Sequence, residues 1–137
     1  MLIGSRKGLS RVDIDPHVFI NNQIIDCVDN TKTLGVFIDE NITWKMYINH
    51  VCKKVSKGIG VLRRAKKMIS NASLERLFKA LVLPHFDYCS LVWDNCSANL
   101  KTQLQRLQNK AARVITGDSY YSSATETLSK LGWETLQ

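Results

Sequence analysis

The sequence predicts an α+β chain, with a small antiparallel sheet over residues 1–40 followed by a mainly α-helical bundle over residues 41–137. Before Asn41, short β-prone runs lie between turn-forming residues. After it, apolar residues recur at the 100° spacing of an amphipathic helix. The 137 residues, 45% apolar and 23% charged, are enough for about one domain with one modest core.

In chain order, Val18-Phe19-Ile20 and Gln23 to Val28 flank Asn21-Asn22, a pair that tolerates the positive φ of a tight hairpin. Thr33 to Ile38 reads as a further strand, and Met1 to Gly4 as a fourth piece of the same sheet. Trp44, Ile48, Val51, Cys52, Val55, Ile59, Leu62 and Ile69 make one stripe on a helix roughly 35 Å long. Gly58 lies beside that stripe, where a missing side chain permits a close helix contact. A second helix starts at Ser70–Ser73 with Leu74, Leu77, Phe78, Leu81 and Val82, up to a kink or new start at Pro84. Tyr88, Leu91, Val92 and Trp93 continue the apolar surface. A third long helix carries Leu100, Leu104, Leu107, Ala111, Val114 and Ile115 and stops at Gly117. Ser123 to Glu126 has capping-box form and opens a last short helix that ends at Gly132.

No run of roughly 18 apolar residues occurs, so a membrane span is excluded by the pattern, and the N-terminal residues lack the order of a secretory signal. Cys27, Cys52, Cys89 and Cys96 are too sparse for a disulfide framework, and free thiols in an intracellular setting, nuclear or cytoplasmic, are expected. The net charge of +7 makes polyanions the natural partners.

The charge is concentrated. From Asn41 to Leu74 there is no acidic residue, yet Lys45, Lys53, Lys54, Lys57, Arg63, Arg64, Lys66 and Lys67 all fall there, and all but Lys66 lie away from the apolar stripe. Like charges one turn apart repel by a few tenths of a kcal/mol per pair, so stability does not explain the face. A phosphate backbone, which releases counterions when neutralised, does. Lys53, Lys54, Lys57, Arg63, Arg64 and Lys67 are therefore the candidate nucleic-acid contacts. A solvated helix face, and a basic helix lying on an anionic membrane or an acidic protein, are the competing readings.

Other constellations are weaker. Asp13-Ile14-Asp15 places two carboxylates on one side of a strand, though a polar turn before Pro16 accounts for it. His85, Cys89 and Cys96 lack paired zinc-ligand spacing. No phosphate-binding glycine loop or nucleophilic triad emerges among His17, His50 and His85, and Trp44, Trp93 and Trp133 read as core anchors. No catalytic or metal-binding residue is assigned.

Several segments taken in order resemble one family. Met1-Leu2-Ile3-Gly4-Ser5, Lys32 to Asp39 with Trp44, Lys57 to Gly60, Ala80 to Cys89 with Val92-Trp93, and Leu104 to Arg113 are together similar to the end of the reverse transcriptase domain of non-LTR retrotransposons of the jockey type. The resemblance covers almost the whole chain. It implies that Leu34, Gly35 and Val36 form a primer-grip-like strand at the palm's edge, and that the helices after it form a thumb holding the template–primer backbone, RNA:DNA or DNA. Thr33 departs from the pattern, since many relatives carry an aromatic residue there. The family's Asp-Asp polymerase motif lies upstream of the position matching Met1 and has no counterpart in this sequence. The expectation is a C-terminal piece that is inactive alone, with Mg²⁺ belonging to the missing palm and the remaining palm and fingers as partners. A protein-interaction or membrane-surface helix module is the alternative.

Overall fold

The computed structural model describes residues 1–11 and 18–136. The pair Asp13 and Asp15, with Pro16 and His17, lies outside the described residues. The chain divides into two compact units, Met1–Tyr47 and Ile48–Gln137.

The first unit holds a short helix α1 (Arg6–Leu9) and two separate hairpins, β1 (Val18–Ile20) with β2 (Gln23–Ile25), and β3 (Asn30–Thr33) with β4 (Val36–Asp39). Asn21 and Asn22 both take positive φ, 48° and 61°, as the two-residue turn joining Ile20 to Gln23 requires. The second hairpin corrects the expected strand over Thr33 to Ile38. Leu34 (φ 49°) and Gly35 (φ 83°) are the turn itself, pairing Thr33 with Val36. Met1 to Gly4 adds no strand to either hairpin; its backbone contact is Gly4 N–H donating to the Glu40 carbonyl at 2.9 Å. The chain after Ile25 leaves β2 three residues earlier than the apolar run to Val28 implies.

Helix α2 (Lys45–Ala65) begins in the first unit and continues into the second. Tyr47, Ile48, Val51, Val55, Ile59 and Leu62 are buried along it, as the stripe requires, with Trp44 buried just before it. The helix stops at Ala65, short of Ile69, which is exposed. In the second unit, α3 (Asn71–Leu81) is capped by Ser70, whose hydroxyl accepts from Ser73 N–H at 3.2 Å. Pro84 sits in the first turn of α4 (Leu83–Asp87), a new helix after α3. Then follow α5 (Ser90–Trp93), α6 (Ala98–Thr116) and α7 (Ala124–Leu131), the last two ending on Gly117 and Gly132 in left-handed conformation. Ser123 makes no side-chain cap bond, so the capping box is present in sequence only. Of the expected surface over residues 88–93, only Trp93 is buried, while Leu91 is 95% exposed.

The buried residues of this unit include Ile59 and Leu62 of α2, Leu74 and Phe78 of α3, Val82 just after it, Phe86 of α4, and Leu104 and Ile115 of α6, with Val82 closely approaching α2 at Gly58. Trp133 stacks on Phe78 with ring centroids 4.2 Å apart. The segment after α7 is pinned to α6 by two glutamines. Gln108 Nε2 donates to the Glu134 carbonyl at 2.9 Å, and Gln105 Oε1 accepts from Leu136 N–H at 2.8 Å. Gln108 is buried yet satisfied, since its Oε1 accepts from Gln105 Nε2.

The burial contrast sets an order of local stability. Val18, Phe19, Ile20, Ile24 and Ile25 are all exposed, and a lone two-stranded hairpin is marginal in water. Amides of residues 48–64 and 100–115 are therefore expected to outlast those of residues 18–25 in hydrogen exchange. Greater protection in the hairpin would mean that it is covered in solution.

Candidate nucleic-acid interface

The cations of α2 follow from its amphipathic register. With the apolar residues turned to the core, Lys53, Lys57 and Arg64 share one outward ridge, one and then two turns apart, or roughly 6 and 10 Å along the axis. All three are exposed. Arg63 lies on one flank of that ridge. Lys54 lies on the other, where its charge reaches His85: burial first, and then Lys54, lower the imidazole from its ordinary value. Lys67 is exposed but belongs to the turn after Ala65, so the expected six-residue face is a three-residue ridge with Arg63 and Lys54 on its flanks, and one cation beyond the helix end.

Lys66, the one cation the pattern placed toward the apolar side, is half-buried and reaches the end of α6. Its Nζ stands 3.1 Å from where a Cβ on Gly117 would be. The C-terminal carbonyls of a helix carry partial negative charge, so an ammonium there is favourable.

Between α2 and α6 runs an open cleft of about 1180 Å³, lined entirely by residues of the second unit. Arg63 and Lys66 stand on one side, Arg106, Lys110 and Arg113 on the other. Cys52 and Ser56 contribute to the α2 wall, and Tyr120 stands at the α6 end. The α6 cations were not among the expected contacts. Their spacing, i, i+4 and i+7, is itself a helical stripe opposite Leu104, Gln108, Ala111 and Ile115, and it is readable in the sequence once the polar side of that helix is examined.

Five cations line the cleft against one carboxylate, and that carboxylate is occupied. Asp118 accepts from Lys130 Nζ at 2.9 and 3.0 Å and from Thr127 Oγ1 at 3.0 Å. Hydrogen bonding from Lys130, and then Thr127, outweighs burial and holds Asp118 below the usual carboxylate range. The ion pairs among the described residues, Lys79–Glu75, Lys101–Asp94 and Lys130–Asp118, include no cation of α2 or of the cleft. Arg113 gives one N–H to the Ser122 carbonyl at 3.0 Å, while its Nε is buried without a hydrogen-bond partner.

Over 111 residues the chain is 27% identical to the probable RNA-directed DNA polymerase from transposon X-element of Drosophila melanogaster. This chain is similar to part of a transposon polymerase. The match covers 77% of the chain and 12% of that polymerase, so the chain spans a small part of the relative's length. No protein-family profile matches the chain, and no solved structure matches it.

The segments that carry the resemblance have distinct places. Leu34, 85% exposed, and Gly35 make the tip of the second hairpin, and Val36 is buried at the start of β4. Gln105 and Gln108 bind the C-terminal segment, and Arg106 and Lys110 between and after them face the cleft. The four cysteines are free, and burial pushes the Cys52 and Cys96 thiols up from their ordinary value. No group of three or more His, Cys, Asp or Glu that could hold a metal is gathered among the described residues. No helix among them is long and apolar enough to cross a membrane.

Proposed function

We propose that the chain is the palm-edge and thumb portion of a non-LTR retrotransposon reverse transcriptase of the jockey type, and that alone it is a non-catalytic module gripping the backbone of a template–primer duplex. The observation that carries the duplex contact is the set of exposed α2 cations with no carboxylate partner among the described residues. Lys53, Lys54, Lys57, Arg63, Arg64 and Lys67 would contact phosphates, positioning the duplex without reading its bases. The identity to a transposon polymerase supports the same assignment. The palm-edge role of the first unit is supported by its first hairpin, which exposes Phe19 and Ile24 as a strand pair does when it belongs against a larger sheet. Leu34, Gly35 and Val36 would be the primer-grip-like element, presented as a hairpin tip. Mg²⁺ and the carboxylates that hold it would belong to the rest of the polymerase, as would the remaining protein partners.

Four simultaneous phosphate contacts should give a log–log salt slope for duplex binding near −3 to −4, at roughly −0.9 per phosphate. Replacing Lys53, Lys57 and Arg64 together by Gln should flatten the slope by two to three, with helicity unchanged because the three side chains avoid the core. Identical slopes for the two proteins would reduce this face to solvated surface.

A further inference from the structure

The cleft between α2 and α6 has features that a duplex-gripping ridge does not need. It is concave, its cations stand on two sides, and Tyr120, in ring contact with Tyr121, stands at one end. We infer that this cleft binds a single-stranded polynucleotide segment, with phosphates along Arg63, Lys66, Arg106 and Lys110 and a base stacked on Tyr120. The inference rests on the nucleic-acid reading above for the class of partner, and it assigns a different strand to a neighbouring surface that shares only Arg63 with the ridge and its flanks.

Size separates the candidates first. A volume of about 1180 Å³ is too small to enclose a duplex, whose major groove alone is ~12 Å wide and ~8.5 Å deep, so a duplex can touch the rim but not lie inside. The same volume exceeds the ~300–1,000 Å³ of ordinary small-molecule sites, is partly open to solvent, and is lined from Cys52 to Lys66 on one side and from Gln103 to Asp118 on the other, which suits an extended chain. Charge then selects the sign. Five cations line the space, none has a carboxylate partner among the described residues, and the one acid there is held by Lys130 and Thr127. A cleft with cations on two walls focuses its potential inward, whereas a convex ridge spreads it.

The aromatic end distinguishes a polynucleotide from other polyanions. Tyr120 is 81% exposed and Tyr121 92%, their rings edge to face at 5.6 Å. Arg113 lies over the Tyr120 ring at 5.8 Å, so the phenol is already part of a cation–aromatic stack beside the cleft. Basic grooves that track a backbone next to exposed rings are how proteins hold single strands, since every base offers a flat face. An acidic peptide would use the cations and leave the tyrosines idle.

The test uses the full chain and four labelled probes: oligo(dT) of about eight nucleotides, an abasic oligonucleotide of the same length, poly-glutamate, and a blunt duplex. Oligo(dT) should bind with a salt slope of about −2 to −3, at roughly −0.7 per phosphate for single strands. Arg106→Gln with Lys110→Gln, both exposed positions, should flatten that slope by about 1.4 and leave the blunt-duplex slope unchanged. Tyr120→Ala should weaken oligo(dT) by about fivefold or more and the abasic probe far less. In the wild-type chain, 5-iododeoxyuridine in the oligonucleotide should photocrosslink to Tyr120, a readout that needs no variant. Loss of blunt-duplex binding with retained, cleft-dependent oligo(dT) binding would sink the ridge reading and leave this one standing. Equal affinity for the abasic probe or poly-glutamate, or equal loss of single-strand and duplex binding in the cleft variant, would overturn it.

Discussion

Replacing Gly58 by valine is expected to destabilise the helical unit by about 3 kcal/mol, at the upper end of the overpacking range. A Cβ at Gly58 would stand 2.7 Å from Val82 Cγ2 and 3.6 Å from the Leu81 carbonyl oxygen. Val82 is fully buried at the end of α3, so it has nowhere to move. Gly60, two residues on in the same helix, gives the control. A Cβ there would meet only the end of Arg64 at 3.9 Å, and Gly60→Ala should stabilise by roughly 0.5–1 kcal/mol from helix propensity and reduced unfolded-state freedom. Opposite signs at two glycines in one helix isolate the packing term. Urea unfolding followed by far-ultraviolet circular dichroism checks both, and a double-mutant cycle with Val82→Ala should give a coupling of at least about 1 kcal/mol. If Gly58→Val were neutral, α2 and the end of α3 would not be in contact.

That close approach was legible because Gly58 interrupts a helical pattern beside its apolar stripe, and a glycine in that place has a packing reason more often than a conformational one. The Asn21-Asn22 hairpin was legible for a related reason: two asparagines between apolar runs announce positive φ. The second hairpin was not. Leu34 in left-handed conformation is against its own preference, and an apolar Leu-Gly-Val-Phe-Ile run looks like one strand. Only the pairing of Asn30 with Asp39 across the sheet resolves Leu34-Gly35 as a turn. At the interface, the α2 cations could be read from the missing acids alone. The α6 cations were legible as a stripe, but their place as the far wall of the cleft was not, because it depends on which side of α6 faces α2, a tertiary fact. Ala65 as the end of α2 was likewise hidden, since Ile69 continues the period but is exposed once Ser70 caps the next helix.

Asp39→Ala is expected to lower the protection of the Thr43 and Trp44 amides about 10- to 100-fold, a loss of roughly 1–3 kcal/mol for an ionised acceptor of several hydrogen bonds. The Asp39 carboxylate accepts from Thr43 N–H, Thr43 Oγ1 and Trp44 N–H, each at 3.0 Å, and from Asn41 N–H at 3.2 Å. These bonds hold a costly turn, because Ile42 and Trp44 both take positive φ, 51° and 62°, which a β-branched or bulky residue avoids. Burial raises the Asp39 pKa, but the bonds from Thr43, Trp44 and Asn41 outweigh it, and the net shift is downward. The folded value therefore lies below the ordinary ~3.9 of the unfolded chain. A carboxylate depressed on folding contributes its full stability above the unfolded value and loses it as pH falls through the folded one. The difference in protection between the wild-type and Asp39→Ala proteins should thus be constant at pH 6–7, begin to shrink below about pH 4, and be smallest once the carboxyl is protonated in the folded state. Nuclear magnetic resonance exchange at Thr43 and Trp44 across that range measures it directly. A difference that persisted undiminished at pH 2 would mean that the protonated side chain holds the turn as well as the carboxylate does, and that the charge contributes nothing.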